Sequence, residues 1–297
     1  MKYLRSPLRW FGGKGKLVSK LLKYVPPHVY YLEAYGGGAS LLFAKKPSEF
    51  EVYNDIDGDL VNLFRVLRDE QKFEKFYRKV CLTPYSREEY NYCRTTYENC
   101  EDEIERAYRF FVLVRQSFSG SKDSWSYSVR ECCKKMVDAV SRWLSIIDLL
   151  PAIHERIMRV QIENLPALEC IEKYGSAWNY DESFIYLDPP YLPETRREGG
   201  YKYEMTREDH EELIKYLIKN QNRNKFMLSG YDNELYRELE NEGWQKISWE
   251  VACHAVGKTR YTSLLGEGAT FKNNQRRVEC IWINYEITKQ EKLFFWG

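Results

Sequence analysis

Apolar residues recur along the chain with two spacings that alternate. Residues 29–35 and 51–54 are rich in β-branched and aromatic side chains, which predicts strands, and a stretch with helical spacing follows each of them. The same alternation returns after residue 150, with predicted strands at 157–162, 184–187 and 226–228. Because strands that alternate with helices form parallel sheets, the pattern predicts an α/β fold with a Rossmann-like sheet.

The helices of this pattern are predicted from apolar residues spaced three and four apart, at residues 16–25, 39–44, 60–67, 165–173, 207–219 and 233–241. Two further strands, at 247–251 and 278–283, have no helix between them. We expect these two to pair antiparallel at an edge of the sheet. The sequence between them has few apolar residues at 266–277, which predicts a loop.

The alternation is interrupted between residues 69 and 150. This part is charged and Tyr-rich, shows helical spacing at 104–114, and contains a Ser/Gly/Trp stretch at 117–128. We therefore predict a mainly helical domain at 69–150, inserted between a first core segment at 1–68 and a second at 151–297.

Composition restricts the function only in part. Lys and Arg total 45 against 44 Asp and Glu, so net charge does not indicate a nucleic-acid partner. The eight cysteines include no Cys-x-x-Cys pair, so we expect no metal site and reduced thiols. No secretory apolar segment and no run near the ~18 residues of a membrane span is present, so we expect an intracellular protein without membrane association.

Three candidate functional elements follow predicted strands, where α/β sheets bind ligands. The first is the turn Gly36-Gly37-Gly38, and the second is Asp55, about 20 residues later, at the spacing of a ribose-binding acid. Together they indicate an adenosyl ligand. The glycines match neither the dinucleotide pattern nor a phosphate-binding P-loop.

The third element, Asp188-Pro189-Pro190-Tyr191, is the most specific. The amine of an adenine base is a poor nucleophile, so a site that methylates it must accept both amine hydrogens. The Asp188 carboxylate and the Pro189 carbonyl supply two acceptors, and Pro190 has a fixed φ that helps to aim this carbonyl. Tyr191 is predicted to stack on the base. This chemistry is preorganised electrostatic stabilisation without a strong base.

Further candidates surround these elements. Trp10 offers an aromatic face to a sulfonium cation. Reaching an amine inside a duplex requires base flipping. Arg196, Arg197 and Lys202 follow the tetrapeptide and are candidates for phosphates beside the flipped nucleotide.

In their order along the chain, these motifs resemble the Dam-like (D12 class) DNA N6-adenine methyltransferases, and especially phage and prophage DNA adenine methylases. The resemblance rests on four motifs: Trp10-Phe11-Gly12-Gly13-Lys14, Glu33-Ala34-Tyr35-Gly36-Gly37-Gly38, Asn54-Asp55-Ile56-Asp57 and Asp188-Pro189-Pro190-Tyr191. Ala34 and Tyr35 replace the usual Pro and Phe and conserve the turn and its aromatic surface. Phe118-Ser119-Gly120 is only loosely similar to the family's Phe-Asn-Gly element.

The resemblance implies an S-adenosylmethionine-dependent methyltransferase sheet whose inserted domain recognises double-stranded DNA. The implied cofactor-binding residues are Trp10, Lys14, Glu33, Tyr35, Gly36, Asp55 and Asp188, with Ile162 or Glu163 near the cofactor adenine. In the inserted domain the implied candidate DNA contacts are Arg109, Arg115, Lys122, Arg130, Lys134 and Lys135. The implied setting is the cytoplasm of a bacterial or phage-infected cell, where a cognate restriction enzyme can be a partner.

Two alternatives remain open. Related tetrapeptides methylate cytosine N4, RNA adenine or protein amides, although the aspartate in first position and the N-terminal place of the Trp10 motif favour adenine in DNA. A DNA-binding regulator that has lost catalysis is the other alternative. Intact Lys14, Asp55 and Asp188 argue against it.

Overall fold

Seven strands form one sheet in the computed structural model, which describes residues 3–10, 12–128, 136–195, 201–252 and 276–287. The strands are β1 (Tyr30–Glu33), β2 (Phe50–Asn54), β3 (Val160–Glu163), β4 (Ser183–Leu187), β5 (Lys225–Tyr231), β6 (Gln245–Ala252) and β7 (Arg276–Ile283). Their order across the sheet is β3-β2-β1-β4-β5-β7-β6. The first five in sequence run parallel, and β7 lies antiparallel between β5 and β6.

The order of the strands reverses between β1 and β4. From β1 the chain moves outward to β2 and β3, and it then returns to β4 on the other side and continues outward to β5. The loops that follow β1 and β4 therefore leave the sheet in opposite directions and open a crevice between them. Gly36 and Asp188 stand in these two loops.

Helices cover both faces of the sheet. They are α1 (Val18–Leu21), α2 (Ser40–Ala44), α3 (Gly58–Arg68), α4 (Glu70–Cys81), α5 (Arg87–Thr96), α6 (Glu103–Gln116), α7 (Asp138–Ile147), α8 (Leu150–Ile157), α9 (Ala167–Gly175), α10 (Arg207–Asn220) and α11 (Arg237–Asn241). Alternate strand residues face opposite layers, so Tyr31 packs with α1 to α8 and Leu32 packs with α9 to α11. The sheet is buried on both sides, as parallel sheets require.

The predicted inserted segment is helical in the described residues, with α4 to α7 inside residues 69–150. Its apolar side chains do not form a separate cluster. Phe76, Phe110 and Trp143 belong to the same core as Tyr31 and Tyr53 of the sheet. The division of the chain into a core and an inserted recognition domain stays a prediction.

Several element boundaries differ from the sequence prediction. Residue 157 ends α8 and does not begin a strand, because Leu150, Ile153 and Ile157 are buried at helical spacing and β3 starts only at Val160. The predicted helix at 16–25 is split by 3-10 turns, and that at 233–241 is regular only from Arg237. The antiparallel pairing of the last two strands is confirmed. Of the loop predicted at 266–277, residues 276 and 277 begin β7 and the rest lie outside the described residues.

Within the described part of the chain no helix has both the length and the apolar character needed to cross a bilayer.

Asn54 joins three backbone segments beneath the crevice. Its side chain is fully buried; Nδ2 donates to the carbonyls of Ala34 at 2.9 Å and Leu165 at 3.0 Å, and Oδ1 accepts from the Leu165 N–H at 2.9 Å. The ends of β1 and β2 and the loop after β3 are thus held together by one amide.

Asn54→Ala should lower the free energy of unfolding by about 3 kcal/mol, since it leaves buried backbone groups without partners. Urea denaturation measures this change. Asn62→Ala, which removes one solvent-exposed bond to the Glu103 carbonyl, is the matched control and should cost less than about 0.5 kcal/mol. Equal losses in the two variants would show that Asn54 is not a structural link.

Candidate active site

A cleft of about 680 Å³ lies at the reversal of strand order. This volume is within the range of roughly 300–1,000 Å³ that holds small-molecule ligands. The described residues that form its walls come from six parts of the chain: Trp10 and 12–14, 33–41, 54–57, 165–168, Tyr186 with Asp188 and Pro190, and 201–205 with Asp209 and Glu212. The N-terminal motif, the glycine turn, Asp55 and the tetrapeptide therefore meet at one site.

The glycine turn packs too tightly to carry side chains. A Cβ on Gly36 would lie 2.1 Å from the ring of Tyr53, and one on Gly37 would lie 2.9 Å from the indole of Trp10. Gly37 also has φ +47°, in the left-handed region. The Tyr53 hydroxyl donates to the Gly37 carbonyl at 2.8 Å, so β2 fixes the turn from behind.

Asp55 holds the turn from its other side. One carboxylate oxygen accepts the Gly37 N–H at 2.7 Å, and the other accepts the Asp57 N–H at 2.8 Å. Burial raises the pKa of Asp55 to about 6, although both hydrogen bonds favour the ionised form. Asp55 lines the cleft with lone pairs still available to a ligand.

Lys14 and Asp188 form a buried ion pair. Lys14 Nζ lies 2.7 Å from Asp188 Oδ1 and donates to the Gly12 carbonyl at 3.1 Å. Burial raises the pKa of Asp188, and Lys14 opposes this. Burial would lower the pKa of Lys14, but Asp188 and then Glu279 outweigh it and the pKa is raised. Asp188 is also one of the residues that line the cleft, so its carboxylate faces both Lys14 and the ligand space.

Two more predicted cofactor residues line the same cleft. Glu33 is buried and accepts from the Tyr31 hydroxyl at 3.2 Å and the Leu42 N–H at 3.1 Å. Burial raises the pKa of Glu33 to about 8 in spite of these bonds. Tyr35 faces the cleft as well, and burial raises its pKa.

The tetrapeptide contributes unequally to the cleft. Pro190 lines it, whereas Pro189 is buried. Tyr191, predicted to stack on a base, is 4% exposed. Its hydroxyl donates to Glu279 Oε2 at 2.9 Å, so its ring is engaged inside the protein. Glu279 lies far along the sequence in an antiparallel strand, and only the sheet order indicates that it comes close.

Residues 201–205 form a wall of the cleft that the sequence did not predict. Lys202 Nζ pairs with Asp57 at 2.9 Å and with Asp59 at 3.0 Å, both at the start of α3. Lys202 was predicted to hold a phosphate and instead contacts these two carboxylates. The aromatic pair at Tyr201 and Tyr203, close after the tetrapeptide, was the available signal for this wall.

Ile162 and Glu163 are not among the residues that form the cleft. Ile162 packs against the main core, and Glu163 accepts from Lys173 at 2.8 Å and from Tyr174 at 2.5 Å. The cleft wall on this side is formed instead by residues 165–168, which follow β3 after the chain has cleared the sheet edge.

Arg115 is the predicted DNA contact with the most unusual surroundings. Its Nε is buried and has no hydrogen-bond partner among the described residues, and the same holds for Nε of Arg142. Burial, and then Arg9 and Arg142, lower the pKa of Arg115 to about 9. Three cations therefore share one partly buried location, where Arg142 forms the one ion pair found among the described residues, with Asp138.

The other basic residues predicted to contact DNA differ from Arg115 in their surroundings. Arg109 pairs with Glu105 at 2.9 Å. Lys122 lies 5.3 Å from the ring centroid of Phe110, and burial lowers its pKa. The remaining candidates, Arg130, Lys134, Lys135, Arg196 and Arg197, lie outside the described residues.

The donor set suits an organic cation better than a metal. Asp188 offers a carboxylate in the wall of the cleft, and Trp10 adds an aromatic face to the same cleft. These groups fit the sulfonium and adenosyl parts of S-adenosylmethionine. In the part of the chain that the structure describes, no three His, Cys, Asp or Glu side chains are grouped as metal ligands.

Comparison with known proteins agrees with this geometry. Residues 10–253 match the family described as D12 class N6 adenine-specific DNA methyltransferase. The chain is 27% identical over 305 residues to Type II methyltransferase M1.LlaDCHI of Lactococcus lactis subsp. cremoris, covering 95% of this chain and 96% of that protein. It is 23% identical over 295 residues to a DNA adenine methylase of Salmonella typhi, covering 92% and 93%. A DNA N-6-adenine-methyltransferase of Escherichia phage P1 is 26% identical over 121 residues, covering 40% and 16%.

The raised pKa of Asp55 gives a pH-dependent affinity. Protonation as the pH falls through about 6 removes a negative acceptor, so the Kd for S-adenosylmethionine should be about tenfold weaker at pH 5 than at pH 7. Isothermal titration calorimetry measures this, and Asp55→Asn should bind more weakly and flatten the curve over this range. Glu33, with a pKa of about 8, titrates on the other side of neutrality. An unchanged curve in Asp55→Asn would assign the effect to another group.

Proposed function

The chain belongs to the D12 class of N6 adenine-specific DNA methyltransferases, and we propose that Asp188 and the Pro189 carbonyl are its catalytic groups, with Pro190 and Tyr191 completing the catalytic tetrapeptide. The enzyme methylates the N6 amine of adenine in DNA. The observation that carries the assignment is the Asp188 carboxylate, which lines the cleft while one of its oxygens pairs with Lys14 at 2.7 Å. A carboxylate has about four acceptor sites, so Asp188 can accept from an adenine amine while it stays paired with Lys14.

The methyl donor is S-adenosylmethionine, held by Trp10, Lys14, Glu33, Tyr35, Gly36, Asp55 and Asp188. When bound, it supplies a methyl group on a positively charged sulfur. Asp55 accepts from the ribose hydroxyls, and the glycine turn brings backbone close to the ligand. The side chain of Trp10 and residues 165–168 provide apolar surface for the adenosyl group.

Asp188 and the Pro189 carbonyl draw electron density toward the target nitrogen by accepting its two hydrogens. Positive charge develops on that nitrogen during transfer, and a carboxylate held in place beforehand stabilises it without reorganising. Burial raises the pKa of Asp188, and Lys14 opposes this and so favours the ionised carboxylate. The reaction needs no strong base, because the amine proton becomes acidic once the methyl group is attached and is then released to water. The donor, having lost its methyl group, would leave as S-adenosylhomocysteine.

The target adenine reaches this site by flipping out of duplex DNA. Residues 69–150 are proposed to read the target sequence, with Lys122 and Arg130 as contacts, and Arg196 and Arg197 are proposed to hold phosphates near the flipped nucleotide. We place the activity in the cytoplasm of a bacterial or phage-infected cell, where DNA and methyl donor are both present. A cognate restriction enzyme is a proposed partner, since one relative is named a Type II methyltransferase.

Arg115 is proposed to bind a DNA phosphate together with Arg9 and Arg142. Partly buried guanidiniums that lower one another's pKa cost stability in the free protein. Nε of Arg115 and Nε of Arg142 have no hydrogen-bond partner among the described residues, although Arg115 Nη2 donates to the Arg142 carbonyl at 3.3 Å and Arg142 pairs with Asp138. A phosphate would supply the missing acceptor and relieve the repulsion. Such a cluster is expected where function, rather than folding, requires the charge.

Asp188→Ala should abolish methyl transfer from labelled S-adenosylmethionine to DNA taken from a methylation-free host, a loss of at least about a thousandfold. Digesting the wild-type product to nucleosides should give N6-methyladenine, not N4-methylcytosine. Asp232→Ala, which removes an exposed ion pair with Lys246, is the matched aspartate control. Activity retained in Asp188→Ala would refute the mechanism, provided that long-read sequencing finds the variant and the wild-type enzyme methylating the same positions in the DNA.

Arg115→Ala should weaken DNA binding by about tenfold at 0.1 M salt and reduce the slope of log K against log salt by about one. Fluorescence anisotropy of a labelled duplex measures both. The melting temperature of the Arg115→Ala protein should not fall, because the lost side chain has no hydrogen-bond partner at Nε among the described residues. Arg237→Ala, an exposed arginine in α11, should change neither quantity. Lower stability with unchanged DNA affinity would make Arg115 structural.

A further inference from the structure

Tyr191 spans three neighbouring strands. It lies in the loop that follows β4. Its ring contacts the ring of Tyr231 in β5 edge-on, with 4.6 Å between the ring centroids, and its hydroxyl donates to Glu279 of β7 at 2.9 Å. Tyr231 and Glu279 are register partners across the β5–β7 pair. The side chain of Tyr191 therefore connects the tetrapeptide to the antiparallel part of the sheet.

This connection compensates for a property of the tetrapeptide itself. Pro189 and Pro190 have no N–H group, so two successive residues cannot donate backbone hydrogen bonds that would hold the loop. Side chains must fix it instead. Lys14 contacts Asp188 at one end at 2.7 Å, and Glu279 accepts from Tyr191 at the other end. The loop is held at both ends by charged side chains from distant parts of the sequence.

We propose that Glu279 is a positioning residue for methyl transfer, and that it fixes the tetrapeptide through the hydroxyl of Tyr191 so that both acceptors face the target amine. The inference rests on the proposed role of Asp188 and the Pro189 carbonyl. Two acceptors must meet one nitrogen at hydrogen-bond distance, and a displacement of about 1 Å of either lowers the rate by up to roughly a hundredfold. Glu279 does not line the cofactor cleft, so it acts on the rate and not on cofactor binding.

Three variants separate the hydrogen bond from the charge. The substrate is an unmethylated duplex that contains the enzyme's target sequence. On it, Glu279→Ala and Tyr191→Phe should each lower kcat by about 10- to 100-fold, with the KM for S-adenosylmethionine changed less than about threefold. Glu279→Gln, whose amide oxygen still accepts from the Tyr191 hydroxyl, should recover most of the rate. The double variant Glu279→Ala with Tyr191→Phe should be no slower than the slower single variant, because both remove one interaction.

The Tyr216–Glu172 pair serves as the matched control. The hydroxyl of Tyr216 in α10 donates to the carboxylate of Glu172 in α9 at 2.7 Å. Glu172→Ala and Tyr216→Phe should keep the wild-type kcat. Thermal stabilisation by S-adenosylmethionine tests folding of every variant.

Three results would overturn the inference. They are a wild-type kcat in Glu279→Ala, a kcat in Glu279→Gln as low as in Glu279→Ala, and effects of the two single variants that multiply in the double variant. An active Asp188→Ala would instead refute the proposed mechanism, so the two failures are distinguishable.

Discussion

The ion pair between Lys14 and Asp188 joins the N-terminal segment to the end of a central strand, and the arrangement of the cleft depends on it. A lysine and an aspartate buried together are stable only when each neutralises the other. The pair therefore requires the Trp10 motif to lie against the end of β4. This places Trp10 over the glycine turn and Lys14 over the ring of Tyr191, at 4.6 Å from its centroid.

Much of this arrangement follows from the sequence. The apolar spacing predicts the parallel strands, and the rule that α/β sheets bind ligands beyond the carboxyl ends of their strands predicts that the Gly36 turn and Asp188 belong to one site. These predictions succeed because they depend on local periodicity and on the direction of strands. Asp55 is likewise predicted from its distance along the chain after the turn. In the structure its carboxylate accepts a hydrogen bond from the Gly37 N–H at 2.7 Å.

The elements that escaped prediction depend on contacts between distant segments. Glu279 carries no local signal, because its place beside Tyr191 follows from the insertion of β7 between β5 and β6. Ile162 and Glu163 were expected at the cofactor because they end a strand, yet the chain reaches the cleft only at residues 165–168. Tyr191 looked like a free aromatic surface, and only the folded structure shows that its ring is used in packing.

The shared core of the sheet and of helices α4 to α7 has a consequence for how such enzymes diversify. Phe110 and Trp143 pack in one cluster with Tyr53, so exchanging the whole helical segment between relatives would cut through a common interior and leave mismatched surfaces. A substitution in an exposed loop leaves this common interior intact, whereas a substitution inside α4 to α7 also disturbs the sheet that holds the cleft. The helical segment and the sheet are therefore constrained to change together.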